Sequence, residues 1–215
     1  MLPVLTTGVW LSMGLSLIAL IWMVVRTGEF RNDPHYALAR GNRLTGILYA
    51  FGPAMMPWHK ESAGRHLATY LLGIAYHAGV FAGLAYLVIR LLKLNPGQPA
   101  TAVLAWTMAA GAAAGVSLLG KRLIKPAMRA ISCPDDFAAN ILVTLFLVLG
   151  VLVALERAGL NWWYGITVGL FLYIPVGKIR HCAFFFTTRI LYGTFFGRRG
   201  VFPDTPGTAD KRTKS

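Results

Sequence analysis

Two histidines, His77 and His181, stand inside or at the edge of apolar stretches that leave an imidazole few polar neighbours. An ionisable side chain is expensive in such surroundings and marks a functional site by default. Two imidazoles from different helices can approach one metal ion from opposite sides, and the chemistry this suits is axial ligation of a heme iron. In LLGIAYHAGVFAGL, Gly73, Gly79 and Gly83 flank His77 and would let a ring plane approach the backbone or let helices pack closely. In YIPVGKIRHCAFFF, Lys178 and Arg180 precede His181 and place cations where heme propionates could be met, with Arg65 and Arg189 as further candidates. For one histidine alone, a hydrogen-bonded polar residue between helices is the commoner explanation. Two at matching depth on separate helices favour a ligand pair.

The elements that must carry them follow from composition. The chain has 215 residues, 56% hydrophobic and only 13% charged, with a mean hydropathy of +0.57. That balance excludes an ordinary soluble domain and predicts an all-α integral membrane protein. The net charge of +13 does not imply nucleic acid, because the basic residues lie neither on one soluble face nor in one tract. Five segments, 5–25, 67–92, 100–119, 137–155 and 162–180, are long enough to cross about 30 Å of hydrocarbon as transmembrane helices. No basic residue precedes the first apolar run, so it reads as a retained helix rather than a cleaved signal peptide.

Charge orients these segments. Stretches 26–65, 121–136 and 178–215 carry 6, 4 and 8 of the 21 Lys and Arg residues, and Arg90, Lys93 and Arg157 fall on the other side. The positive-inside rule then puts the amino terminus outside and the carboxyl terminus in the cytoplasm. Counting helix rise from the outer boundary places His77 about 24 Å deep and His181 about 30 Å, while His66 falls at about 40 Å. His77 and His181 are therefore the better pair.

Residues 44–57 (LTGILYAFGPAMMP) are apolar but too short and Pro-broken to span, so they are expected along the interface or re-entering shallowly. The expected organisation is a five-helix domain over residues 1–197 and a polar cytoplasmic tail over 198–215. Cys133 and Cys182 are the only cysteines, too few for an iron-sulfur cluster on this chain, and on the cytoplasmic side a disulfide is not expected. Cys133-Pro134-Asp135-Asp136 reads as the start of the fourth span.

Tyr76-His77-Ala78-Gly79-Val80 in the second span, with Ile174-Pro175-Val176-Gly177-Lys178-Ile179-Arg180-His181 at the end of the fifth, resembles the membrane cytochrome b subunit of respiratory nitrate reductase. Its relatives include the membrane subunits of heterodisulfide-reductase-type and sulfite-reduction-associated complexes. The resemblance implies a multi-pass protein of the prokaryotic cytoplasmic membrane, with two b hemes held by histidines of the second and fifth helices. The cytoplasmic heme of that family matches His77 and His181. The outer heme would need histidines where this chain has Leu87 and Trp163, so a single heme b is expected.

The same resemblance implies an electron-transfer subunit between the quinone pool and a cytoplasmic iron-sulfur partner. His59, Lys60 and His66 are candidate quinone ligands, and Glu156 and Arg157 beside Trp162 mark an outer alternative. The rival from another class is a heme-free membrane anchor or assembly subunit. A transporter is weaker, since the spans lack acidic residues and no repeat relates them.

Overall fold

Lipid offers a backbone amide no partner, so an apolar chain must satisfy its amides within its own segments. Every regular element of the described residues is accordingly helical. The structure, a computed structural model, describes residues 1–29, 38–59 and 64–202. The helices are α1 (Leu2–Glu29), α2 (Arg43–Phe51), α3 (Leu67–Leu91), α4 (Gly97–Ile124), α5 (Pro126–Ala130), α6 (Pro134–Ala154), α7 (Leu160–Tyr173) and α8 (His181–Arg199). Short 3-10 turns occupy Pro53–Met55, Pro57–His59 and Lys178–Arg180. Four helices, α1, α3, α4 and α6, are long and apolar enough to cross a membrane, and α7 with Lys178–Arg199 makes a fifth span if that bent pair counts as one.

The chain forms two compact units, residues 1–23 with 66–181 and residues 24–65 with 182–215. In the first, α3 crosses α4 at paired glycines, where a Cβ added to Gly79 would lie 2.7 Å from the Gly111 Cα. Such crossings let backbones touch, which is how helices gain packing energy when lipid is as apolar as they are. The core is built on Trp163, Phe146, Leu87, Met108 and Leu147, all essentially inaccessible. The Trp163 ring lies 5.3 Å from that of Tyr86 and 5.6 Å from that of Phe146, and its Nε1–H donates to the Phe146 carbonyl at 3.0 Å. An indole buried with its N–H satisfied contributes area without an orphaned donor.

The start of α6 follows the sequence. Pro134 takes the first helical position, and the Asp136 carboxylate accepts the Cys133 N–H at 3.0 Å. Proline costs nothing where no N–H is needed, and the acids favour the positive end of the helix dipole.

The fifth segment departs from expectation. Residues 162–180 read as one continuous helix, whereas α7 stops at Tyr173. Pro175 has no N–H to return to the Phe171 carbonyl. The N–H groups of Val176 and Gly177 instead both turn back to the Tyr173 carbonyl, at 3.1 and 2.8 Å. Gly177 is extended, with ψ of −175°, and the ring of Tyr173 occupies the space a Cβ there would need. Helix resumes through the 3-10 turn into α8 and continues to Arg199.

In the second unit, Asn42 caps α2 by accepting the Leu44 N–H at 2.7 Å. Gly46 meets Gly193 and Gly197 of α8, where a Cβ on Gly193 would come within 2.5 Å of the Ile47 Cα. The N–H groups of Arg40 and Gly41 donate to the Arg198 carbonyl at 2.9 Å each, which satisfies an end of α8 that intrahelical bonds leave open. The 44–57 stretch is thus a nine-residue helix followed by 3-10 turns, about 14 Å of helix and too short to span.

Candidate functional site: the His77–His181 pair

The direction of His77 is fixed by the residue before it. Tyr76 donates its hydroxyl to the Asn140 carbonyl at 3.0 Å and lies 3.1 Å from the Thr144 hydroxyl, both on α6. Gly115 of α4 leaves room for that ring, since a Cβ there would sit 2.6 Å from the Tyr76 Cε2. Asn140 in turn donates its side-chain amide to the Gly115 carbonyl at 3.3 Å. With Tyr76 held into the bundle, the next residue is turned about 100° around α3, and His77 is exposed.

His181 opens α8 directly after the break, and it too is exposed. The two imidazole centroids are 6.3 Å apart with their planes at 78°. Each ring is tied to its own chain on one nitrogen. His77 Nδ1 lies 2.7 Å from the Gly73 carbonyl oxygen, and His181 Nδ1 lies 2.8 Å from that of Lys178. A carbonyl can only accept, so both Nδ1 atoms carry the proton and both Nε2 atoms present lone pairs.

These features fit a heme. An imidazole nitrogen bonds a transition metal at about 2 Å and the ring centre lies about 1.1 Å further back, so two axial imidazoles put their centroids about 6 Å apart. Ligating histidines donate their other N–H to a carbonyl or carboxylate, which fixes the tautomer and raises ligand basicity. Both histidines here do so. Their exposure leaves the surrounding space open, and a Cβ added to Gly73 would meet nothing within 4 Å. Gly79 and Gly83, by contrast, are filled positions against Gly111 and Phe146. Of the three glycines near His77, only Gly73 opens onto free space.

The remaining candidates fall in both units. The Lys178 ammonium pairs with Asp136 at 2.8 Å. Arg180 is exposed in the 3-10 turn. Arg65 belongs to the second unit, as does Arg189, whose guanidinium lies 5.6 Å from the centre of the Phe185 ring. His66 stands at the amino-terminal boundary of α3 and is exposed. His59, in the second unit, has Tyr49 and Trp58 rings at 6.3 and 6.5 Å. Lys60 lies outside the described residues. At the outer alternative, Trp162 is exposed beside a turn in which Glu156 adopts φ of 56°.

Leu87 and Trp163, where the resemblance would put an outer histidine pair, are both in the core. Leu87 is 1% exposed and Trp163 is 0%, and both belong to one apolar cluster with Tyr86, Phe146 and Met108. That region is close-packed with side chains.

The supporting shell is not among the sequence-based candidates. Tyr76 meets Asn140 and Thr144 of α6, and Asp135 and Asp136 meet Tyr173 and Lys178 on either side of the break. Asn140 carries a usable signal, a carboxamide inside an apolar span where an unpaired amide is costly. Compared with protein-family models, curated proteins and solved structures, the chain finds no match.

Proposed function

We propose that this chain is a membrane cytochrome b subunit that moves single electrons between a quinone and a cytoplasmic iron-sulfur oxidoreductase through one bis-histidine heme b. The observation that carries the reading is the His77–His181 pair, 6.3 Å between ring centres with each Nδ1 committed to a backbone carbonyl. The motif resemblance to nitrate-reductase-type cytochromes b supports it. A heme held by two imidazoles has no open coordination position, so it supplies one-electron transfer rather than substrate activation. The chain's part is to fix both imidazoles, keep them in the ligating tautomer and pack the rest of the bundle.

The basic connections 26–65 and 121–136 and the carboxyl-terminal stretch face the cytoplasm of a prokaryotic cell on this reading. Their positive charge suits the docking of an acidic partner. Leu87 and Trp163 in the packed core support one heme rather than two. His66 is the described quinone candidate in the same unit as the histidine pair, and His59 is the candidate in the other.

Purified protein is expected to give one heme b per chain in a pyridine hemochrome assay, with a sharp α-band on reduction. Two hemes per chain would refute the single-site reading. A featureless spectrum from folded protein would favour a heme-free anchor.

A further inference from the structure

The break between α7 and α8 is gripped from both sides by two acids at the start of α6. Before the break, Tyr173 donates its hydroxyl to the Asp135 carboxylate, and also reaches the Asp135 carbonyl at 3.1 Å. After the break, the Lys178 ammonium lies 2.8 Å from the Asp136 carboxylate, and Arg122 of α4 adds a second cation at 3.5 Å. The Asp136 side chain is 13% exposed and that of Lys178 51%, so the pair is shielded from solvent on the carboxylate side only. The residue so anchored is the one whose carbonyl, 2.8 Å from Nδ1, orients the His181 imidazole. Gly177, with the Tyr173 ring where its side chain would be, allows the turn to close this tightly.

We infer that Asp136 is a positioning residue for His181: by holding Lys178 it fixes the turn that sets the rotation and basicity of the imidazole. This rests on the proposed heme function and names a control on the same site. Removing the anchor frees the turn, and the Nδ1–H bond to the Lys178 carbonyl weakens with it. Partners of this kind usually govern metal affinity by about 10- to 100-fold when they touch the ligand directly, and the low end suits one acting through a backbone turn.

The test uses the full chain loaded with heme and the variants Asp136→Asn, Lys178→Met and Lys178→Arg. The carboxamide oxygen that Asp136→Asn introduces can still accept the Cys133 N–H, so the cap of α6 survives the loss of charge. Lys178 is half-exposed, so Lys178→Met remains informative if Asp136→Asn fails to fold. The ferric low-spin EPR signal is expected to shift in the same direction in Asp136→Asn and Lys178→Met. Heme transfer to excess apomyoglobin should quicken about tenfold in both, while Lys178→Arg behaves as the parent. The two substitutions change charge in opposite senses, so midpoint potentials moving oppositely with an unchanged EPR signal would mean a field effect and overturn the assignment. A lower melting temperature with unchanged EPR and heme retention would overturn it as well. Parent protein that folds without heme would defeat the proposed function itself, a result distinct from either.

Discussion

Alanine at either His77 or His181 is expected to reduce bound heme from one equivalent to background while the helical content of the purified protein stays unchanged. Both imidazoles are exposed, and each makes its side-chain hydrogen bond to a carbonyl of its own segment. Neither holds the bundle together, so truncation removes an imidazole without opening the core. With one imidazole gone, a heme would be held by a single side chain of the chain and would be lost to the detergent phase. His66→Ala and His59→Ala are the controls and keep full heme content. The reduced α-band and the hemochrome ratio read all four variants. Full heme in either His77→Ala or His181→Ala would end the assignment.

The opposite profile is expected of Trp163→Ala, which should be destabilised by about 3–5 kcal/mol. Trp163 is fully buried, stacks near Tyr86 and Phe146 and donates to the Phe146 carbonyl at 3.0 Å. Removing the indole leaves a cavity bordered by Tyr86, Phe146 and Gly150, on which a Cβ would lie 3.3 Å from the Trp163 ring. Trp163→Phe keeps most of the volume and loses only the hydrogen bond, about 1 kcal/mol. Unfolding in mixed detergent measures both, and the surviving folded fraction should carry heme at the parental ratio. A fully stable Trp163→Ala variant would mean that the aromatic cluster is not what the bundle packs on.

Much of this fold is written in local signals. The second span is predicted at 67–92 and observed at Leu67–Leu91, because its boundaries coincide with the ends of the apolar run. The start of α6 is equally local, since Cys133, Pro134 and the two acids carry the cap within one turn. The break at 174–177 is visible as Pro175 and Gly177 but lost in an apolar average, and it invalidates counting helix rise as far as His181. The two histidines nevertheless meet, because the turn at Lys178–Arg180 brings the chain back beside α3.

What sequence could not supply was pairing across elements. Lys178 looks like a free cation when read along the chain, and only the fold brings it to Asp136. Likewise Gly73, Gly79 and Gly83 look equivalent on one helix. Rotation of α3, set by Tyr76 against α6, turns two of them into the bundle and leaves the first open.

The early end of α7 also has a consequence for the bilayer itself. Its 14 residues reach about 21 Å, against about 30 Å of hydrocarbon. If the chain leaves the membrane direction at the break, lipid around so short a helix would thin, or let headgroups and water sink towards the gap. Such a deformation would fall beside the His181 turn, where Gly177 is packed against the Tyr173 ring. In a locally thinner membrane that turn would lie closer to the aqueous phase than a full-length helix would place it.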